Sequence, residues 1–128
     1  MHYAKLKLLI GIFNKGSVIY IDYIFGDDSS KRKKRTAVAI DFDDNSTRVI
    51  ILKVTTHSAR TGYDYTLADY GLAGLKQGSV VRCNNIMTVP NKFNCEKHGD
   101  LSRRDAIIIE SLYNQAIINN ALVEVGYT

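Results

Sequence analysis

A chain of 128 residues with 17 Lys plus Arg against 13 Asp plus Glu carries a formal charge of +4. That length suits one domain hiding roughly two thirds of its unfolded surface, which excludes multi-domain enzymes and folds built around a large cofactor. With 45% apolar and 23% charged residues, nine Gly and one Pro, the composition is globular rather than disordered or collagenous.

The apolar run Leu8–Phe13 falls far short of the about 20 residues that span a bilayer, and no small-x-small cleavage site follows it. A cytoplasmic location without membrane attachment is expected. Cys83 and Cys95 form no C-x-x-C and have no histidine at zinc-finger spacing, so reduced thiols, no metal and no cofactor are expected.

In chain order, residues 1–15 fit both a helix and a strand and are read as a helix. Ser17–Ile24 is β-branched and aromatic between Gly16 and Gly26, and its continuous apolar character suits a strand buried on both faces. Thr36–Phe42 and Arg48–Thr55 read the same way. The turn cluster Asp43-Asp44-Asn45-Ser46 joins them as a hairpin, giving three antiparallel strands in the first half. Tyr63–Leu67, Ser79–Arg82 and Ile86–Val89 are shorter strands, the last ended by Pro90. Gly62, Gly71, Gly74 and Gly78 punctuate them, which indicates a mainly β fold, a small closed or half-closed barrel.

The pattern changes after Gly99. Ser102 and Asp105 have capping-box spacing, and Ala106–Ile118 supplies helix-length periodicity through Ile109, Leu112, Tyr113, Ala116 and Ile117. Ile107-Ile108-Ile109 overfills a single stripe and points to a second covered face, such as a subunit contact. Asn119-Asn120 ends the helix. The chain is read as one domain over 1–128.

Three blocks can carry chemistry. Lys31-Arg32-Lys33-Lys34-Arg35 places five of the 17 cations together, in what reads as the connection between the first two strands. Polyanions suit such a cluster, because each phosphate contact releases counterions. With no helix-turn-helix signature, single-stranded nucleic acid fits better than duplex DNA. The second block, Thr55-Thr56-His57-Ser58-Ala59-Arg60, gathers hydroxyls, an imidazole and a guanidinium at a strand exit. In the third, Arg82-Cys83-Asn84-Asn85, a strand delivers a guanidinium and two amides.

In this order the blocks resemble the MazF/PemK/Kid family of toxins from bacterial toxin–antitoxin pairs. The resemblance runs over about residues 16–118, through Gly16-Ser17-Val18-Ile19-Tyr20, Lys34-Arg35-Thr36-Ala37-Val38, Val54-Thr55-Thr56, Ala59-Arg60-Thr61-Gly62, Gly74-Leu75, Ser79-Val80-Val81-Arg82-Cys83, Ile86-Met87-Thr88-Val89 and Gly99-Asp100-Leu101-Ser102. It leaves residues 1–15 as an extension. It implies an SH3-like barrel with a C-terminal helix, a homodimer, metal-free cleavage of single-stranded RNA, and a cognate antitoxin that covers the RNA groove. The family's catalytic Arg falls on Arg35, its active-site Thr on Thr55, the adjacent hydroxyl on Thr56, and the second-block Arg on Arg82. Thr36 replaces the family's Pro, and Asn84 replaces the Asp of the Kid branch; an amide cannot serve as a general base.

The residues present suggest a chemistry. The 2′-OH attacks the adjacent phosphorus in line, giving a 2′,3′-cyclic phosphate and a 5′-OH. Arg35 and Arg82 stabilise the phosphoryl oxygens, and Thr55 and Thr56 position the substrate. His57 is the candidate base, since an imidazole ordinarily titrates at about 6.5. Lys31, Arg32, Lys33, Lys34, Arg60 and Asn84 are candidate RNA contacts. Two alternatives stay open: the same barrel binding RNA or protein without cutting, and a gyrase poison of the CcdB kind, although the ending Val125-Gly126-Tyr127-Thr128 lacks that group's Trp-Gly-Ile tail.

Overall fold

Strands rich in Val and Ile with apolar residues at successive positions need cover on both sides. The computed structural model describes residues 15–24, 32–42, 48–90 and 95–124. Its elements in order are β1 (Ser17–Ile24), β2 (Arg32–Phe42), β3 (Arg48–Thr55), β4 (Asp64–Thr66), β5 (Val80–Pro90), β6 (Cys95–Asp100), α1 (Arg103–Ile118) and β7 (Val123–Glu124). The seven strands form one sheet in the order β4-β5-β3-β2-β1-β6, with β7 added to β5. All pairs are antiparallel except β5–β7. A closed or half-closed barrel is expected; the described strands leave the sheet open between β4 and β6, so it does not close.

Each face carries its own core. Ile19, Ile21, Ala37, Ala39, Val49, Ile51, Met87 and Val89 cluster together. Their neighbours in sequence, Val18, Val38 and Leu52, join Val81 and Cys83 of β5 and Ile109 and Tyr113 of α1 in a second cluster. Register shifts in the β1–β6, β2–β3 and β3–β5 ladders bend the sheet. The largest lies in β5, where Lys53 faces Arg82 but the preceding Leu52 faces Ile86, leaving residues 83–85 as a bulge.

β1 and β3 have the expected bounds, and three expectations change. β2 begins at Arg32, so Arg32–Arg35 belong to a strand rather than a connection. Ser79–Arg82 and Ile86–Val89 are parts of one strand that the bulge interrupts without ending. β6 was not expected, because CEKHGD lacks strand-forming residues; it is held as an edge by β1 alone among the described strands. Ile107 and Ile108 are exposed in the single chain, as a face left for a subunit contact requires. The helix reading of residues 1–15, the turn at 43–46 and Lys31 fall outside the described residues, apart from Lys15, which stands in a turn.

α1 starts as its sequence requires, with the Ser102 hydroxyl accepting from the Asp105 amide at 3.2 Å. The Asp105 carboxylate goes elsewhere. Fully buried, it accepts from the Tyr65 hydroxyl at 2.5 Å, the Ala68 amide at 3.1 Å and the Asp69 amide at 2.8 Å. Burial and then this hydrogen bond push the Tyr65 phenol up to about 12. Arg104 grips Asp69 with two hydrogen bonds of 2.7 and 2.8 Å, which hold that carboxyl at about 2. At the other end, Asn120 takes a left-handed φ of 54°, with Asn120 N–H donating to Ile117 and Ala121 N–H to Ala116. This is a Schellman stop with Asn where Gly is usual.

Replacing Asp105 by Ala leaves a hydroxyl and two amides without their acceptor, and should cost about 3 kcal/mol in urea unfolding; a loss under about 1 kcal/mol would show the carboxylate to be dispensable. Asp69, lowered in the folded state, contributes stability that is complete above its unfolded value near 3.8 and lost as pH falls toward about 2. Arg104→Gln should therefore flatten the stability–pH slope between about pH 4 and 2.

Candidate functional site

Period-2 alternation decides which polar residues share a face. Ala37 pairs with Lys53 at the end of the β2–β3 ladder, so Arg35 and Thr55, each two residues further, project to the same side as that pair. A groove of about 800 Å³ opens here. Arg35 and Thr36 line it from β2, Lys53 to Thr56 from the end of β3, followed by His57; Gly74, Leu75, Lys76 and Ser79 form another wall, and Asn85–Met87 contribute from the β5 bulge. Tyr20 and Ile21 complete the lining from β1. Among the described residues the lining includes Arg35, Lys53, Lys76 and His57 but no carboxylate. A groove with that charge suits an anion, and its apolar floor of Ile21, Ala37, Ile51 and Met87 suits a flat ring.

The structure thus brings together Arg35, Thr55, Thr56 and His57. The Thr55 hydroxyl accepts from the His57 backbone N–H at 3.2 Å and lies 3.4 Å from Nδ1 of its ring. A Thr at a strand exit whose hydroxyl accepts from the amide two residues on turns the chain in this way. Arg35 and His57 are exposed, so both can meet a ligand.

Three other described candidates, Arg60, Arg82 and Asn84, stand apart. Arg32, Lys33 and Lys34 precede Arg35 in β2. Arg60 is exposed, and its backbone N–H donates to Asp64 Oδ2 at 2.8 Å. Arg82 sits beside Lys53 in the ladder, yet its guanidinium faces Asp64 at 3.8 Å and does not line the groove. Asn84 donates from Nδ2 to the Ala121 carbonyl at 3.1 Å, tying the bulge to the exit of α1. The sequence makes it a candidate RNA contact in place of the family's Asp; here its amide makes a structural bond that a carboxylate could not make.

Two groove residues were missed. Lys53 was legible, since it lies two positions before Thr55 on the same strand face. Lys76 was not: it arrives from a loop whose path depends on two close approaches. A Cβ at Gly74 would lie 2.6 Å from the His98 carbonyl oxygen, and one at Gly99 would lie 2.5 Å from that of Leu72. Only bare backbone lets the loop lie this close to β6.

Fold and groove together define a small, mainly antiparallel sheet protein with a C-terminal helix and a cationic, hydroxyl-lined site. Residues 14–116 match the family model of PemK-like, MazF-like toxins of type II toxin–antitoxin systems. The chain belongs to that family. Its fold is similar to that of a chain in MazE–MazF (Form-III) from Deinococcus radiodurans, with 11% identity over 84% of this chain and 97% of that one and a TM-score of 0.66. An endoribonuclease from Mycobacterial species is similar at 13% identity, 84% and 95% coverage and a TM-score of 0.61. Toxin MazF-mt6 of Mycobacterium tuberculosis is similar at 20% identity, 79% and 96% coverage and a TM-score of 0.55. At these identities the likeness is one of fold. No curated protein sequence matches. Among the described residues, no helix is long and apolar enough to cross a membrane.

Asn84→Asp should not create a general base. It would set a carboxylate against the Ala121 carbonyl and cost about 1–3 kcal/mol in stability. A gain in activity without loss of stability would overturn this structural assignment.

Proposed function

We propose that this chain is a metal-independent endoribonuclease toxin that cuts single-stranded RNA. The observation that carries this reading is the groove's content: Arg35, Lys53, Lys76 and His57 around the Thr55 and Thr56 hydroxyls, with no carboxylate among the described lining residues. Membership of the toxin family supports it, as do similar folds described as endoribonucleases.

In the proposed reaction, a phosphodiester lies against Arg35 with the flanking phosphates near Lys53 and Lys76. His57 accepts the proton of the ribose 2′-OH, whose oxygen attacks the adjacent phosphorus in line. The bond to the 5′-oxygen breaks, leaving a 2′,3′-cyclic phosphate on one fragment and a 5′-OH on the other. Negative charge grows on the phosphoryl oxygens, where the Arg35 guanidinium stabilises the transition state more than the ground state. Thr55 holds His57 in place through its backbone N–H, and Thr56 positions the phosphate. The released proton passes from imidazolium or solvent to the leaving 5′-oxygen.

The toxin reading also implies a cytoplasmic protein, a cognate antitoxin that occupies the groove, and a pair of subunits. Structures described as MazE–MazF and as an endoribonuclease with its cognate antitoxin support the partner, and the exposed Ile107 and Ile118 of α1 support a further protein contact.

Purified protein should cut single-stranded RNA in excess EDTA and leave cyclic phosphate ends. Arg35→Ala should lower the rate about a hundredfold or more while the protein stays folded. His57→Gln should remove the lower limb of the pH–rate profile. RNA left intact across several sequences would reject the reading, and binding without cutting would identify a barrel that only grips its ligand.

A further inference from the structure

Arg82 occupies the position of the family's second-block guanidinium, and Lys53, its neighbour in the β3–β5 ladder, lines the groove. Arg82 does not line it. On its other flank stands Asp64 of β4, paired with Arg82 in the β4–β5 register. The two side chains meet at 3.8 Å and are deeply covered, with 13% of the Arg82 side chain and 1% of the Asp64 side chain exposed. A carboxylate so covered needs a cation beside it, and removing that cation leaves an uncompensated charge.

Asp64 also has a second task. Its Oδ2 accepts from the backbone N–H of Arg60 at 2.8 Å and of Thr61 at 3.4 Å, and its own N–H donates to the Thr61 carbonyl at 3.2 Å. These bonds fasten the far end of the loop whose near end is Thr56 and His57. Residues 56–61 are all exposed, so no apolar packing fixes that loop. At the near end it is held by the Thr55 hydroxyl; at the far end it is held by Asp64.

We infer that Arg82 is a positioning residue: it secures Asp64, and through Asp64 the Arg60–Thr61 turn, so that the loop presents Thr56 and His57 to the groove. The guanidinium therefore acts through a carboxylate of its own chain rather than on the scissile phosphate. This inference rests on the endoribonuclease reading for its kinetic consequence, but its structural consequence can be measured without any substrate.

The experiment compares the full-length protein with Arg82→Met, Asp64→Ala, the double variant and Arg82→Lys, by single-turnover RNA cleavage and by amide hydrogen exchange. Arg82→Met and Asp64→Ala should each lower kcat by about tenfold to a hundredfold, with KM changed less than about twofold. The double variant should be no worse than the poorer single, because both substitutions break one device. Exchange at Arg60 and Thr61 should quicken by about tenfold or more in each, while the core amides of Val49 and Ile109 stay protected.

Arg82→Lys keeps a cation against Asp64 and should stay within about threefold of the parent rate. If Asp64→Ala does not fold, the contrast between Arg82→Met and Arg82→Lys decides. The inference is overturned if Arg82→Lys loses as much rate as Arg82→Met while Arg60 and Thr61 remain protected, or if losses multiply in the double variant. If the parent protein cuts no RNA, the functional reading fails, and the exchange data alone decide whether Arg82 holds the loop.

Discussion

The buried carboxylate of Asp105 is the contact on which the arrangement turns. A carboxyl group buried at the base of α1 is tolerated because three donors converge on it, two of them backbone amides of the segment that follows β4. The dependence then runs outward. Ala68 and Asp69 start the turn in which Leu72 and Ala73 bond back to Asp69, Gly74 to Gly71 and Leu75 to Tyr70. That turn carries Lys76 to the groove. One carboxylate thus docks the helix and sets one wall of the site, while the exposed Arg104–Asp69 pair adds an acid-sensitive clasp beside it.

Much of this was legible because β-branched runs and turn residues speak locally. β1 and β3 follow from composition and period, and the Ser102 cap follows from its spacing to the first helical turn. What was not legible depends on partners distant in sequence. β6 is a strand because β1 lies beside it; its own residues do not ask for one. β5 reads as two strands because the bulge at residues 83–85 breaks the alternation, and only the pairing with β3 on both sides of it reveals one continuous element. Arg82 illustrates the same limit in the site. Its residue type suggests phosphate binding, but the neighbour that claims it is Asp64, which only the register of β4 brings alongside.

The part of the basic run that lies in β2, Arg32–Arg35, gains meaning from being a strand. In a connection, five cations would form a diffuse cloud that any polyanion could meet. In β2 the run delivers its last member, Arg35, to a fixed place beside Thr55, and the ladder that begins two residues later sets the distance between them. Electrostatic attraction and chemical positioning thus meet at the same residue.

Gly74 and Gly99 bear on how such a sequence can vary. Neither offers a functional group, and neither lines the groove as a donor, yet a methyl at either position would meet a carbonyl oxygen of the other segment. The groove wall and the edge strand are in effect geared together through two bare positions. In a mutational scan scored on growth or activity, these glycines would stand out as sharply as Arg35. Their intolerance would be steric in origin, and substrate variation could not relieve it.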